Sequence, residues 1–261
     1  MNRISIHILL LALIVTSGLP TFAQDSPDPH RIMMNVYERD QGDDMTSNLT
    51  MTLVNSQGEE RVRAIRQFQR DFGDVEKKIM FFLAPADVEN TSFMNWSYDD
   101  ASKDDDQWIY LPALRKVKRI SSDSKSDSFM GSDFTYDDLG DRHPDEDTHT
   151  LLREETLDGE PVYVIESTPK ESDYMYSRTV SWVIKDKWIG LKKEFYDEDG
   201  DHLKTLNVAE YEQIDGFWII LDSEMHNVQA DHRTRMKLKD VELDTGVDSG
   251  MFTERMMKRG M

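Results

Sequence analysis

The chain has 261 residues, with 51 Asp and Glu against 31 Lys and Arg, a formal net charge of −20 and no cysteine. So acidic a chain argues against a nucleic-acid partner, because phosphate recognition needs clustered cations, and it disfavours flat adsorption on an anionic membrane. Without cysteine there is no disulfide, no thiol nucleophile and no lipid-bearing residue behind a signal sequence, so the fold must rest on burial of a core.

The first residues set the expected destination. A basic Arg3 precedes the apolar run Ile4–Val15, Gly18 and Pro20 break that run, and Thr21-Phe22-Ala23 ends on a small residue. This is the pattern of a secretory signal peptide, residues 1–23, cleaved after Ala23. The run falls short of the roughly 20 residues that span a bilayer comfortably, and no later run could cross. The expectation is export to the periplasm, with residues 24–261 forming a single soluble domain. The Asn-X-Ser/Thr triplets at Asn48, Asn90 and Asn95 are then chance matches.

Helical pattern is scarce. Asp28–Arg39 begins with a capping Asp and a Pro in the first turn, and Ile32, Met33, Val36 and Tyr37 share one face. Period-two alternation dominates the rest. Leu49, Met51 and Leu53 share a face; after the turn SQGE, Val62, Ala64 and Phe68 are expected to share another. Residues 76–85 form a more continuous apolar run. Pro85 starts what reads as one helical turn. Phe93, Asn95 and Ser97 then alternate with Met94, Trp96 and Tyr98. In the second half, hairpins turn at Asp158-Gly159, Lys185–Lys187, Asp199-Gly200 and Gln229–Asp231. Near the end, Ser249 is a candidate helix cap, Met251, Phe252 and Met256 are apolar, and Gly260 is a stop.

This is a mainly β (α+β) pattern: one antiparallel sheet of about ten strands with two or three helices. A twisted sheet of that width must curl, split or close. Curled into an unclosed half-barrel, it has an apolar concave face to be filled by the helices and by the segment 121–150, and a partly filled concavity is a ligand site.

Catalytic signatures are lacking. No HExxH or GxSxG occurs. In Asp197–His202 the sixth position is His202, where a calcium loop needs Gly, and the twelfth is Val208, where it needs Glu. His143, Asp145, Asp147 and His149 lie close together and read either as a divalent-cation site or as a solvated polar loop. No catalytic residue, metal or cofactor is assigned.

The block Asp106–Ile120 (DQWIYLPALRKVKRI) followed by Ser128–Leu139 (SFMGSDFTYDDL) resembles the signature of the outer-membrane lipoprotein-sorting proteins, the LolA-like periplasmic carriers. IMMNVYERDQGDDMTSNLTMTLVN and KKEFYDEDGDHLKTL are similar to that family as well, and the likeness runs over nearly all of residues 24–261. The resemblance implies an unclosed barrel whose helices cap an apolar cavity for an acyl chain or lipid, and a non-enzymatic carrier that works beside an RND-type exporter.

On this reading Trp108, Tyr110 and Leu111 border the cavity. Phe129, Met130, Phe134, Tyr136 and Leu139 sit on a lid that turns at Gly131, and Asp133, Asp137 and Asp138 lie at a wet rim. Methionine suits such a site because it repacks around different chains. Arg115, Lys116, Lys118 and Arg119 form the one concentrated cationic run, read as a solvated strand face or as a patch for lipid headgroups or an acidic partner. Phe81, Phe82, Trp182 and Trp218 read as core or cavity wall. The rival functions are an accessory protein-binding module of an inner-membrane export complex that transfers no lipid, and a hydrolase.

Overall fold

The computed structural model describes residues 27–261; the signal-peptide assignment at residues 1–23 lies outside them. The chain opens with helix α1 (Pro29–Tyr37), and Asp28 caps it by accepting the His30 N–H at 3.1 Å. Six antiparallel strands follow: β1 (Asp44–Val54), β2 (Glu60–Asp71), β3 (Val75–Ala84), β4 (Ser92–Tyr98), β5 (Asp106–Leu111) and β6 (Lys116–Arg119). After an irregular segment come β7 (Asp147–Leu157), β8 (Glu160–Pro169), β9 (Arg178–Ile184), β10 (Gly190–Tyr196), β11 (His202–Ile214), β12 (Phe217–Asn227) and β13 (His232–Leu243), then the short helix α2 (Glu254–Arg259).

All thirteen strands join one open sheet, in the order β6-β5-β4-β3-β2-β1-β13-β12-β11-β10-β9-β8-β7. The two halves of the chain meet where β1 pairs with β13, from Met45↔Leu243 to Val54↔Arg233. The sheet is wider than the ten strands the turns suggest, and it does not close; β6 and β7 are its free edges. Both carry charge, Lys116, Lys118 and Arg119 on one and Arg153, Glu154 and Glu155 on the other, which discourages edge-to-edge pairing.

Alternation assigns the faces. Leu49, Met51 and Leu53, Met80 and Phe82, Phe93, Phe195 and Met225 point into the concave side and form its main apolar cluster. On the other face of β3–β5, Ile79, Phe81 and Met94 pack with Trp96, Trp108 and Tyr110 under Phe252 and Met257 of the C-terminal segment. A further cluster of Val162, Val164, Val180, Trp182 and Ile184 is flanked by Trp218. Phe82 thus belongs to the concave core, whereas Phe81, Trp182 and Trp218 belong to clusters away from it. Helix α1 lies across β7–β9, with Ile32 buried against Ile165 and Val183.

Two sequence expectations are corrected. In β2 the inward face is Arg63, Ile65, Gln67 and Gln69; Val62 is 50% exposed and Ile65 1%. The apolar count misled there because the concave side takes polar residues at this strand, while Phe68 packs outward against Phe81 at 6.2 Å. The segment from Pro85 forms a short turn, as expected, closed by the Glu89 N–H on the Pro85 carbonyl at 2.9 Å. The C-terminal helix is capped by Thr253, which accepts the Met256 N–H, and buries Met257; Asp248 caps the single turn before it. Gly260, at φ 70°, ends that helix as expected.

The corrected register predicts a contrast in stability. Ile65→Ala should cost about 2–5 kcal/mol, whereas Val62→Thr on the opposite face should stay within about 0.5 kcal/mol of wild type. Urea denaturation of the two variants measures both.

Candidate functional site

Between β6 and β7, residues 120–146 run back across the concave face as four single helical turns. The second, Phe129–Gly131, reverses the chain with two consecutive left-handed residues, Met130 at φ 52° and Gly131 at φ 74°. Only glycine adopts that backbone without a steric cost. The Phe129 N–H closes the loop on the Phe134 carbonyl at 2.8 Å. The aromatic side chains then go inward: Phe129 is fully buried, its ring 5.0 Å from Phe93 and 5.6 Å from Tyr136. Phe134 and Leu139 join the same cluster.

Polar bonds hold this lid down. The Lys204 ammonium of β11 donates to Asp138 Oδ2 at 2.5 Å and to the Asp133 carbonyl at 3.0 Å. Asp138 also accepts from the Thr135 N–H at 2.7 Å and the Tyr176 hydroxyl at 3.0 Å. The Asp133 carboxylate accepts from the Thr234 hydroxyl at 2.6 Å and meets His232 Nδ1 at 2.8 Å, both on β13. The Tyr174 hydroxyl donates to Asp137. Burial, with Asp138 and Asp137 close by, pushes the Tyr176 and Tyr174 hydroxyls well above the usual phenol range, so both stay donors.

The lid ends at Gly140, which rests on Asp105. A Cβ at Gly140 would lie 2.4 Å from Asp105 Oδ2, an oxygen that also accepts from the Ser97 hydroxyl at 3.0 Å. Burial, then the charge of Asp141, pushes the Asp105 carboxyl up to about 6. Nearby on β3, burial likewise raises Glu76, against the pull of Lys78.

Beneath the lid and α1 a cavity of about 900 Å³ remains. Its lining is mixed: Met33 and Val36 of α1, Phe134 of the lid, and Phe195, Leu206 and Met225 of the sheet are apolar, and Glu76, Ser97, Asp137, Arg142, Asp147 and Lys193 are polar. Arg142 forks onto Asp147 (2.8 and 3.0 Å) and Glu146 (2.9 Å), and its guanidinium lies 3.8 Å from the Tyr174 ring centre.

Of the expected ligand-binding residues, only Phe134 lines this cavity. Trp108 and Tyr110 face the opposite side of the sheet, where Trp108 packs on Trp96 at 5.1 Å; the inward residues of β5 are Gln107 and Ile109. Leu111 is half-buried at the end of β5. Phe129, Met130, Tyr136 and Leu139 plug the hollow with the protein's own atoms instead of leaving it open. Asp133 and Asp138 are buried lid anchors, not rim residues: Asp138 pairs with the buried Lys204 ammonium, whose charge needs a partner out of water, and Asp133 bonds to Thr234 and His232 of β13. Arg115, Lys116 and Lys118 are exposed and make no ion pair among the described residues; Arg119 pairs with Asp106. His149 spends its ring nitrogens on Ser167 and the Pro144 carbonyl, and His143 caps the turn at Pro144. No group of three His, Asp or Glu among the described residues is arranged to hold a metal ion.

Sequence reasoning missed Lys193, Lys204, Tyr174 and Tyr176. A signal existed: Lys193 sits two residues before Phe195 on the inward face of β10, where alternation calls for an apolar side chain.

An open antiparallel half-barrel with a strapped lid over an internal cavity defines the class of protein. A family model described as that of an uncharacterized protein matches residues 74–259. A DUF1329 family protein from Desulfovibrio piger is 31% identical, with 88% of this chain and 99% of that one covered and a TM-score of 0.83. A protein from Vibrio parahaemolyticus described as an outer membrane lipoprotein-sorting protein domain is 36% identical, covering 88% and 98%, at 0.82. A LolA superfamily protein from Nitrosomonas europaea shares the fold at 20% identity, covering 88% and 100%, at 0.67. No curated protein matches. The chain belongs to the family of the DUF1329 and outer-membrane lipoprotein-sorting domain proteins, and it shares the fold of the LolA superfamily protein.

Two outcomes are expected. Lys204→Met strips Asp138 of its buried counter-charge and should cost about 3–5 kcal/mol, with new protease cuts in residues 121–146; unchanged urea midpoints and cleavage would contradict the latch. Asp105 holds its proton up to about pH 6 in the fold but only to about pH 4 when unfolded. Its contribution is therefore present below about pH 4 and lost as pH rises through about 6. Asp105→Asn should gain stability relative to wild type across that window, measured as urea midpoints at either end.

Proposed function

We propose that this protein is a non-enzymatic periplasmic carrier that shelters the apolar part of a lipid or a lipid-modified protein between α1, the lid and the sheet. The cavity carries the proposal. Its volume of about 900 Å³ lies in the range of roughly 300–1,000 Å³ typical of ligand pockets, and its lining combines apolar side chains with polar and charged ones, as an amphiphile requires. At about 0.8 kcal/mol for each buried CH₂, a fourteen-carbon chain gains roughly 11 kcal/mol before entropic costs. The lipoprotein-sorting description of the Vibrio relative supports the reading, as does the signal-peptide pattern. No helix among the described residues is long and apolar enough to cross a membrane.

Because the lid plugs the inner hollow, cargo larger than the cavity requires it to lift. Phe129 would then leave Phe93 and the chain would occupy its place. The β5–β6 hairpin supplies a docking patch: Leu114 is 63% exposed and is followed by the unpaired Arg115, Lys116 and Lys118. In this acidic protein the patch suits an acidic surface on an RND-type transporter, or lipid phosphates.

Native mass spectrometry of the purified protein, followed by solvent extraction, tests the carrier. A co-purifying amphiphile is expected, and Leu206→Trp, which enlarges an apolar lining residue, should lower its occupancy at least several-fold with the fold intact by circular dichroism. An empty protein that also takes up no fluorescent fatty acid would refute the reading.

A further inference from the structure

Resting on the carrier reading, we propose that Lys193 is an anchor for an anionic headgroup, a carboxylate or a phosphate, borne by the amphiphile inside the cavity. In the register of β10, Lys193 lies opposite Ser181 of β9 and Leu206 of β11, and points to the same side as Phe195. It therefore stands beside Phe195 and Leu206, apolar side chains that line the same cavity.

The charges around the cavity single it out. Lys204 is taken by Asp138, and Arg142 by Asp147 and Glu146. Lys78 has Glu76 at 3.9 Å, and Arg39 donates to the Trp218 carbonyl. Lys193 has no carboxylate within ion-pair distance and no hydrogen bond from its ammonium among the described residues. The carboxylates nearest in charge, Asp138 and Asp147, are engaged by Lys204 and Arg142. The Thr179 hydroxyl, which also lines the cavity, makes no side-chain hydrogen bond among the described residues, and Ser167 lies beside it across the β8–β9 ladder. The Lys193 ammonium lies 5.1 Å from the centre of the Phe195 ring and has no anionic acceptor among the described residues, so its N–H donors are open to one.

Physical cost supports the assignment. Burial lowers the Lys193 pKa, so its charge is carried at a loss in the empty protein. An acid bound there restores the pair through a charge-assisted hydrogen bond. The tail of that acid then runs along Phe195, Leu206 and Met225.

Binding of cis-parinaric acid and of its methyl ester by fluorescence titration tests the anchor, because the two share a tail and differ in charge. Wild type should prefer the acid at least about tenfold, the worth of one hydrogen bond to a charged group. Lys193→Met should abolish that preference with the ester changed less than about threefold, and Lys193→Arg should keep it. Competition by dodecyl phosphate and by inorganic phosphate separates a phosphate head on a tail from a free anion: displacement by dodecyl phosphate alone supports a tailed anion, and equal displacement by inorganic phosphate contradicts it. Equal affinity for acid and ester in wild type, or an unchanged preference in Lys193→Met with a wild-type melting temperature, would overturn the proposal. If neither probe binds, it is the carrier reading that fails, and the anchor falls with it.

Discussion

A single open sheet of thirteen strands has no second sheet to cover its concave face, so that face must be buried by something else in the chain. The cover here is a segment without extended regular structure. Away from its ends, the backbone hydrogen bonds of this segment close turns within the segment itself, so its position on the sheet depends on side chains. Lys204 and Asp138 supply the central contact: a buried ion pair in which Asp138 also accepts from the Thr135 N–H and the Tyr176 hydroxyl, and Lys204 also donates to the Asp133 carbonyl. Pairing of this kind specifies one position for the lid more than it adds stability, since a buried pair is costly to desolvate and costlier still to break.

That arrangement divides the hollow. Toward Phe93 and Phe82 it is filled by Phe129, Leu139 and Tyr136. Toward α1 it stays open as the cavity, because the lid there passes from aromatics to Asp137, Gly140 and Asp141, which have nothing greasy to insert. A carrier must hold its cargo and also release it. In the carrier proposed above, apolar burial would provide the hold, and lifting the lid would leave the sheet folded, because every strand keeps its neighbours in the ladder.

The strands were legible from alternation and turn chemistry: Asp158-Gly159, Asp199-Gly200 and the residues near Gln229–Asp231 mark hairpins that the structure contains. Which face of a strand turns inward was less so. Both faces of β3–β5 are buried, one against the lid and one against the C-terminal segment, so Trp108 and Tyr110 were as apolar as any cavity residue yet point away from it. In β2 the inward residues are polar, and local pattern gave the opposite face. The lid was recognisable by its aromatics and Gly131, but its carboxylates read as solvent-facing, because their partners Lys204, His232 and Thr234 lie 66 to 101 residues away. Long-range ion pairs leave no mark in a local window. An inward-facing lysine such as Lys193 does leave one, as a break in alternation.

The most direct test is an experimental structure of the protein purified under mild conditions without added lipid. Elongated density running between Val36 of α1 and Leu206 and Met225 of the sheet, with the lid still bonded through Asp138 to Lys204, is the result expected. A cavity closed by rearranged side chains, with α1 collapsed onto the sheet and no room for a tail, would contradict the account.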